Sequence, residues 1–157
     1  MTRWMYACVV AGLALSPMGA SAQDSPLTIR ETDAAFEDVV ADLQDAIVNR
    51  GYVVDYHGRI GDMLARTADD VGAAKALYRN AEFMQFCSAT VSRKAMEADL
   101  ENIGFCPYVL FAYEAETAPG TVRVGFRRLP AGDGRDEVNT LLEEIVERRT
   151  PIVLPAT

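Results

Sequence analysis

Histidine is almost missing from this chain: His57 is the only one. Cysteine occurs three times, at Cys8, Cys87 and Cys106, and never as C-x-x-C. Thioredoxin-like exchange therefore has no motif to rest on. Without C-x-x-C-H, covalent c-type haem is excluded. No run of basic residues is present beyond the pairs Arg127-Arg128 and Arg148-Arg149. The formal charge is −8, and an acidic chain is repelled by phosphate backbones and anionic lipid surfaces, which argues against nucleic acid as a partner. Ser88 and Ser92 lack a G-x-S-x-G setting. Gly132-Asp133-Gly134 lacks the spacing of a phosphate loop, and no D-x-D-x-D-G run calls for calcium. Neither an internal repeat nor a low-complexity segment appears. With half its residues hydrophobic and about a quarter charged, the chain has the balance of an ordinary globular domain.

What is present begins with an address. Arg3 supplies a short positive start, and Trp4 to Leu15 is uncharged and apolar. Pro17 and Gly19 break that stretch, and Ala20-Ser21-Ala22 has the small-x-small pattern that a signal peptidase accepts. The apolar run is well short of the roughly 20 residues that a membrane span needs. The expectation is a signal peptide over 1–22, cleaved after Ala22, which removes Cys8, exports the protein to the periplasm and leaves no stable membrane insertion. Loss of Arg3 then leaves 14 basic against 23 acidic residues, net −9.

Residues 23–26 read as a polar linker, and Leu27 to Arg30 as a short strand. Thr32 or Asp33 caps a helix in which Phe36, Val39, Val40, Leu43, Ala46 and Ile47 recur at 3-4 spacing, and Gly51 closes it. Tyr52 to His57 is rich in β-formers and is broken by Gly58 and Gly61. The alanine-rich 62–78 reads as two helical pieces. Glu82 to Ala89 is an apolar strand, and 91–101 a short helix capped by Thr90 or Ser92 and ended by Gly104. Phe105 to Tyr113 is apolar on both faces, as a central strand is, with Pro107 requiring an edge or bulge at its start. Thr121 to Arg128 alternates: Val122, Val124 and Phe126 fall on one face, Arg123 and Arg127 on the other. After the Pro130 and Gly132-Asp133-Gly134 turn, 135–149 forms a last helix with Val138, Leu141, Leu142, Ile145 and Val146 inward. The tail 150–157 reads as loose. The predicted fold is α+β: about five strands in a mainly antiparallel or mixed sheet, covered by three to four helices in a two-layer sandwich.

Three stretches resemble the family called domain of unknown function 302. They are the helix ending in Arg50-Gly51-Tyr52-Val53-Val54, the strand-helix joint from Phe86-Cys87-Ser88 to Met96, and Phe105-Cys106-Pro107-Tyr108-Val109-Leu110-Phe111-Ala112-Tyr113-Glu114. The resemblance covers roughly residues 27–130, with 131–149 as a helix packed on that domain. Asn80-Ala81 stands where many members carry Asn-Pro, and Phe-Cys-Pro-Tyr where many carry Leu-Pro, which marks a divergent member. The resemblance implies a compact sandwich and a capacity to form a homodimer. It carries no catalytic residues.

The residues left for chemistry are few. Cys87 lies near the end of one strand and Cys106 near the start of the strand beyond the next helix. Antiparallel neighbours would put both at one end and permit a bridge, whereas parallel neighbours would keep them apart. A bridge would close a loop of about 20 residues and contribute roughly 3 kcal/mol. Phe86, Phe105 and Tyr108 make the setting apolar, which raises thiol pKa and works against a reactive thiolate. His57, Met84, Cys87 and Cys106 are the residues that copper or haem would use. Methionine at such positions is more simply core filler, and a lone histidine more simply a surface or satisfied core group. The acids fall mostly on outer helix faces. Tyr56, Phe86, Tyr108 and Tyr113 are candidates for a groove between helix and sheet, suited to a small apolar or planar ligand.

These observations point to a small exported binding or accessory protein without enzymatic activity and with no cofactor, its partner a small ligand or a protein. Two alternatives stand beside that reading. One is a periplasmic redox or metal- or haem-handling protein that uses Cys87 and Cys106. The other is a protein–protein interaction module.

Overall fold

A computed structural model of the chain describes residues 25–73 and 75–147. The leader over 1–22, its cut after Ala22 and the tail 150–157 lie outside the described residues. Five strands, β1 (Leu27–Thr32), β2 (Val54–Gly58), β3 (Tyr78–Phe86), β4 (Tyr108–Ala115) and β5 (Val122–Arg127), form one sheet in the order β1-β5-β4-β3-β2. Every neighbouring pair is antiparallel. The α-helices among the described residues are α1 (Phe36–Val48), α2 (Ile60–Arg66), α3 (Ala89–Ala98) and α4 (Arg135–Glu147). The α+β sandwich expected from the sequence is the observed architecture, with the sheet wholly antiparallel and β4 at its centre.

Helical periodicity sets the helix layer. Phe36, Val39, Leu43 and Ile47 of α1 are buried, with Val40 and Ala46 packed at the margin. Val138, Leu141, Leu142, Ile145 and Val146 of α4 are buried beside them. Below lie Met84 and Phe86 of β3, Tyr108, Leu110 and Ala112 of β4, and Val122, Val124 and Phe126 of β5. Each fully buried large side chain contributes roughly 1.5–3 kcal/mol. Asn139 fastens the joint between α4 and β5: its carboxamide accepts from Leu129 N at 2.9 Å and donates to Leu129 O at 2.9 Å, out of solvent.

Local signals and pairing disagree at five places. Thr32 ends β1, and its Oγ1 accepts from Ala34 N, so α1 starts at Phe36 with no side-chain cap; Glu37 and Asp38 complement its dipole instead. Among its described residues the alanine-rich 62–78 yields α2 and one 3-10 turn, Asp69–Val71. From Tyr78 onward the chain pairs with β4 over its full length, and ladder hydrogen bonds override a weak helical propensity. As β3 ends at Phe86, the next helix starts earlier, with Ser88 Oγ accepting from Val91 N as its cap. Ser92, expected at the cap, is instead buried one turn in. Gly104 ends no helix, and lies in a 3-10 turn, Leu100–Phe105, entered through Asp99. Pro107 needs no bulge, because the β4 ladder begins one residue later at Tyr108.

Candidate functional site

Three features outside the apolar core bear on function. The first is the cysteine pair. Phe86 and Tyr108 face each other across antiparallel β3 and β4, so Cys87 and Cys106 sit at the same end of neighbouring strands. Their Cα atoms are 6.3 Å apart and their sulfurs are at bonding distance. Ser92 donates to or accepts from Tyr108 at 2.8 Å below the pair, with the Cys106 sulfur 3.9 Å from the same hydroxyl. Burial pushes the Tyr108 phenol up, and the Ser92 hydrogen bond partly offsets it.

The second feature is His57. It stands opposite Met84 in the β2–β3 ladder, and its Nε2 lies 2.6 Å from Glu82 Oε2. Arg59 Nε approaches the other oxygen of Glu82 at 3.7 Å. Met84 itself is sealed in the core, and Cys87 is three residues further on, about 10 Å along extended chain. His57, Met84, Cys87 and Cys106 are thus not gathered into one ligand set. Among the described residues no group of three or more His, Cys, Asp or Glu side chains is placed to hold a metal. No described helix is long and apolar enough to cross a membrane.

The third feature is the second face of the sheet. The four groove candidates divide between the two faces. Phe86 and Tyr108 are buried under the helices, where the space between sheet and helix layer is filled by packed side chains. Tyr56 and Tyr113 point the other way. Alternation places Ile29, Phe83 and Phe111 with them, and among the described helices α2, whose Gly61 lies against the Ala81 backbone, packs on part of this side. Register lines up Gly58, Phe83, Phe111, Gly125 and Ile29 in one row across all five strands.

The glycines in that row decide how the rings lie. A Cβ on Gly58 would meet the far edge of the Phe83 ring at 2.5 Å, and one on Gly125 would meet Phe111 Cζ at 3.0 Å. Phe83 therefore leans over β2, and Phe111 leans toward β5. Tyr56 packs against Phe83 with ring centroids 5.6 Å apart, and Tyr113 against Phe111 at 6.3 Å. Tyr78 closes on Tyr113 edge-on at 5.5 Å. Arg123 lies over Tyr113 at 6.0 Å and is held by Glu31 at 2.6 Å. Tyr56 keeps 55% of its surface exposed, and Ile29 and Tyr78 are exposed as well. Period-two alternation in β3, β4 and β5 forecasts this row. Without strand order it did not show that Tyr56 and Tyr113 would share it with Phe83 and Phe111 and not with Phe86 and Tyr108.

The described residues thus form a two-layer α+β protein whose antiparallel sheet is largely covered by helices on one side and is aromatic and part-open on the other. A crystal structure of an uncharacterised conserved protein of the domain of unknown function 302 from Bacillus stearothermophilus has the same fold, with TM-score 0.62. It is 13% identical, and the alignment covers 79% of this chain and 98% of that one. At that identity the likeness establishes the fold, as the resemblance in sequence implied, and nothing of activity. Neither a family model nor a curated protein matches the sequence.

Proposed function

We propose that this is an exported, non-enzymatic binding protein of the periplasm, and that it binds through the aromatic second face of its sheet. One observation carries the reading: a row of large apolar side chains crosses the face that the helices leave part-open. An antiparallel sheet with one covered face ordinarily carries polar residues on the other, and a contiguous exposed apolar patch marks an interaction surface. The flat rings of Phe83 and Phe111, flanked by Tyr56 and Tyr113, suit a ligand or partner with a planar apolar part. In this reading the Cys87–Cys106 bridge is structural and belongs to an oxidising compartment. The leader features of residues 1–22 support the address.

The test uses protein exported by a bacterial host. The expected mass begins at Gln23, with no free thiol after denaturing alkylation. The expected behaviour toward Nile red, a neutral planar probe, is a saturable fluorescence gain that Tyr56→Ser and Phe111→Ser each reduce. Retention in the cytoplasm, or probe binding indifferent to both substitutions, overturns the proposal. Thiol exchange is the second reading, favoured by the partial exposure of both cysteines. It predicts reduction of the bridge by a periplasmic dithiol at a rate that competes with alkylation.

A further inference from the structure

The aromatic face carries an uneven charge. Its charged positions in the strand ladders are Glu31 of β1 and Arg123 and Arg127 of β5, two cations against one anion, on a chain whose formal charge is −8. Of the charged bulge residues, Arg79 is paired with Glu116, and Asp55 lies on β2. β2 is three strands from β5, about 14 Å.

The two arginines of β5 are not alike. Arg123 lies over Tyr113 and is tied to Glu31. Arg127 is exposed and has no partner among the described residues. The other strand arginines, Arg30, Arg79 and Arg123, each reach a glutamate. Acids outnumber bases 23 to 15, so a strand arginine without one is the exception. Its neighbours are apolar. Leu27 stands opposite it on β1, and Ile29 and Phe111 lie diagonally, one on each side of Gly125. Leu27 and Ile29 are 40% and 37% exposed. Phe111 leans toward β5, and Gly125 has no side chain to part its ring from Arg127. Diagonal neighbours on one sheet face are about 7–8 Å apart, within reach of a long side chain. A guanidinium without a counter-ion therefore borders the apolar row.

Resting on the reading of this face as the binding surface, we infer that its ligand is a small planar anion, an aryl carboxylate. The ring lies on Phe111, Ile29 and Leu27, and the carboxylate accepts from Arg127. Guanidinium and carboxylate match as a two-pronged, charge-assisted hydrogen bond. Arg123 contributes less, because Glu31 already occupies it.

The experiment is equilibrium dialysis of the exported protein with naphthoate, and with naphthylmethanol and naphthylmethylammonium as neutral and cationic probes of the same ring. Naphthoate should bind about fivefold more tightly than naphthylmethanol, the upper range for an exposed ion pair, and the cation should bind most weakly. Added salt should weaken naphthoate and spare naphthylmethanol. Arg127→Gln should bring naphthoate down to the level of naphthylmethanol and leave naphthylmethanol unchanged. Glu31→Gln frees Arg123 and should tighten naphthoate, a gain that a damaged fold would not give. Naphthoate that binds no better than naphthylmethanol, or that is indifferent to Arg127→Gln, overturns the inference. If Nile red still depends on Phe111 in that case, the binding face itself stands. Nile red and naphthoate both indifferent to Phe111→Ser overturn the face and the inference together.

Discussion

The two faces of this sheet are made by the same strands and have opposite fates. Inward, Met84, Phe86, Leu110, Val124 and Phe126 are packed under α1 and α4 with almost no exposure. Outward, Phe83, Phe111 and Tyr113 are comparably large but only part-covered, and Tyr56 is mostly exposed. Equal hydrophobicity thus has two outcomes: where helices cover the face it drives folding, and where they do not it leaves apolar surface part-exposed. The difference lies in what sits above each row and not in the rows themselves.

The largest effect that separates the faces is expected from Phe86→Ala, which empties a fully enclosed site. Urea unfolding should show a loss of about 3–5 kcal/mol. Its counterpart on the open side, Phe111→Ser, should cost only about 1–2 kcal/mol, because the ring is already part-hydrated. If the two losses are equal, the second face is covered in solution and the comparison fails.

Next in size is the bridge at the shared end of β3 and β4. Cys87→Ser with Cys106→Ser should lower stability by roughly 3 kcal/mol with the fold retained, read from the same unfolding curves. Asn139→Ala should cost about 2 kcal/mol by stranding the buried Leu129 N–H and carbonyl. Hydrogen exchange should then speed up at Leu129 and in α4 before the rest of the sheet.

Tyr56→Ser sharpens the contrast from the other direction. A mostly exposed ring should leave stability within about 0.5 kcal/mol while Nile red binding falls.

The smallest effect is acidic. The Gly120 backbone N–H, followed by the Asn80 amide, holds the Glu114 carboxyl below its ordinary range. A depressed carboxyl adds stability that is present above the unfolded-state value and is lost as pH falls through the lowered one. Glu114→Gln should therefore flatten the acid limb of stability against pH and leave neutral pH nearly unchanged.

Much of this architecture was legible in the chain. The 3-4 spacing of Phe36 to Ile47 and of Val138 to Val146, and the alternation of Val122, Val124 and Phe126, each describe one face of one element, and each face is buried as read. The errors fell where a local signal competed with a distant partner. Alanine content favoured helix up to residue 78, yet β4 was available to pair with Tyr78–Phe86 and took the segment into the sheet. Gly58 reads as a breaker, but it ends β2 inside the ladder, because its missing side chain makes room for the Phe83 ring.

By itself the sequence determined the order of elements, the inward stripe of each helix and the alternation of each strand. These follow from periodicity and turn chemistry acting over a few residues. Tertiary structure alone decided that β3 and β4 run antiparallel as neighbours, which brings Cys87 to Cys106. It also decided that the helices crowd one side and leave Tyr56 and Tyr113 on the other, and that His57 meets Glu82. Those outcomes depend on which distant segments pair and which face is covered, and both are settled by the burial of surface summed over the whole domain.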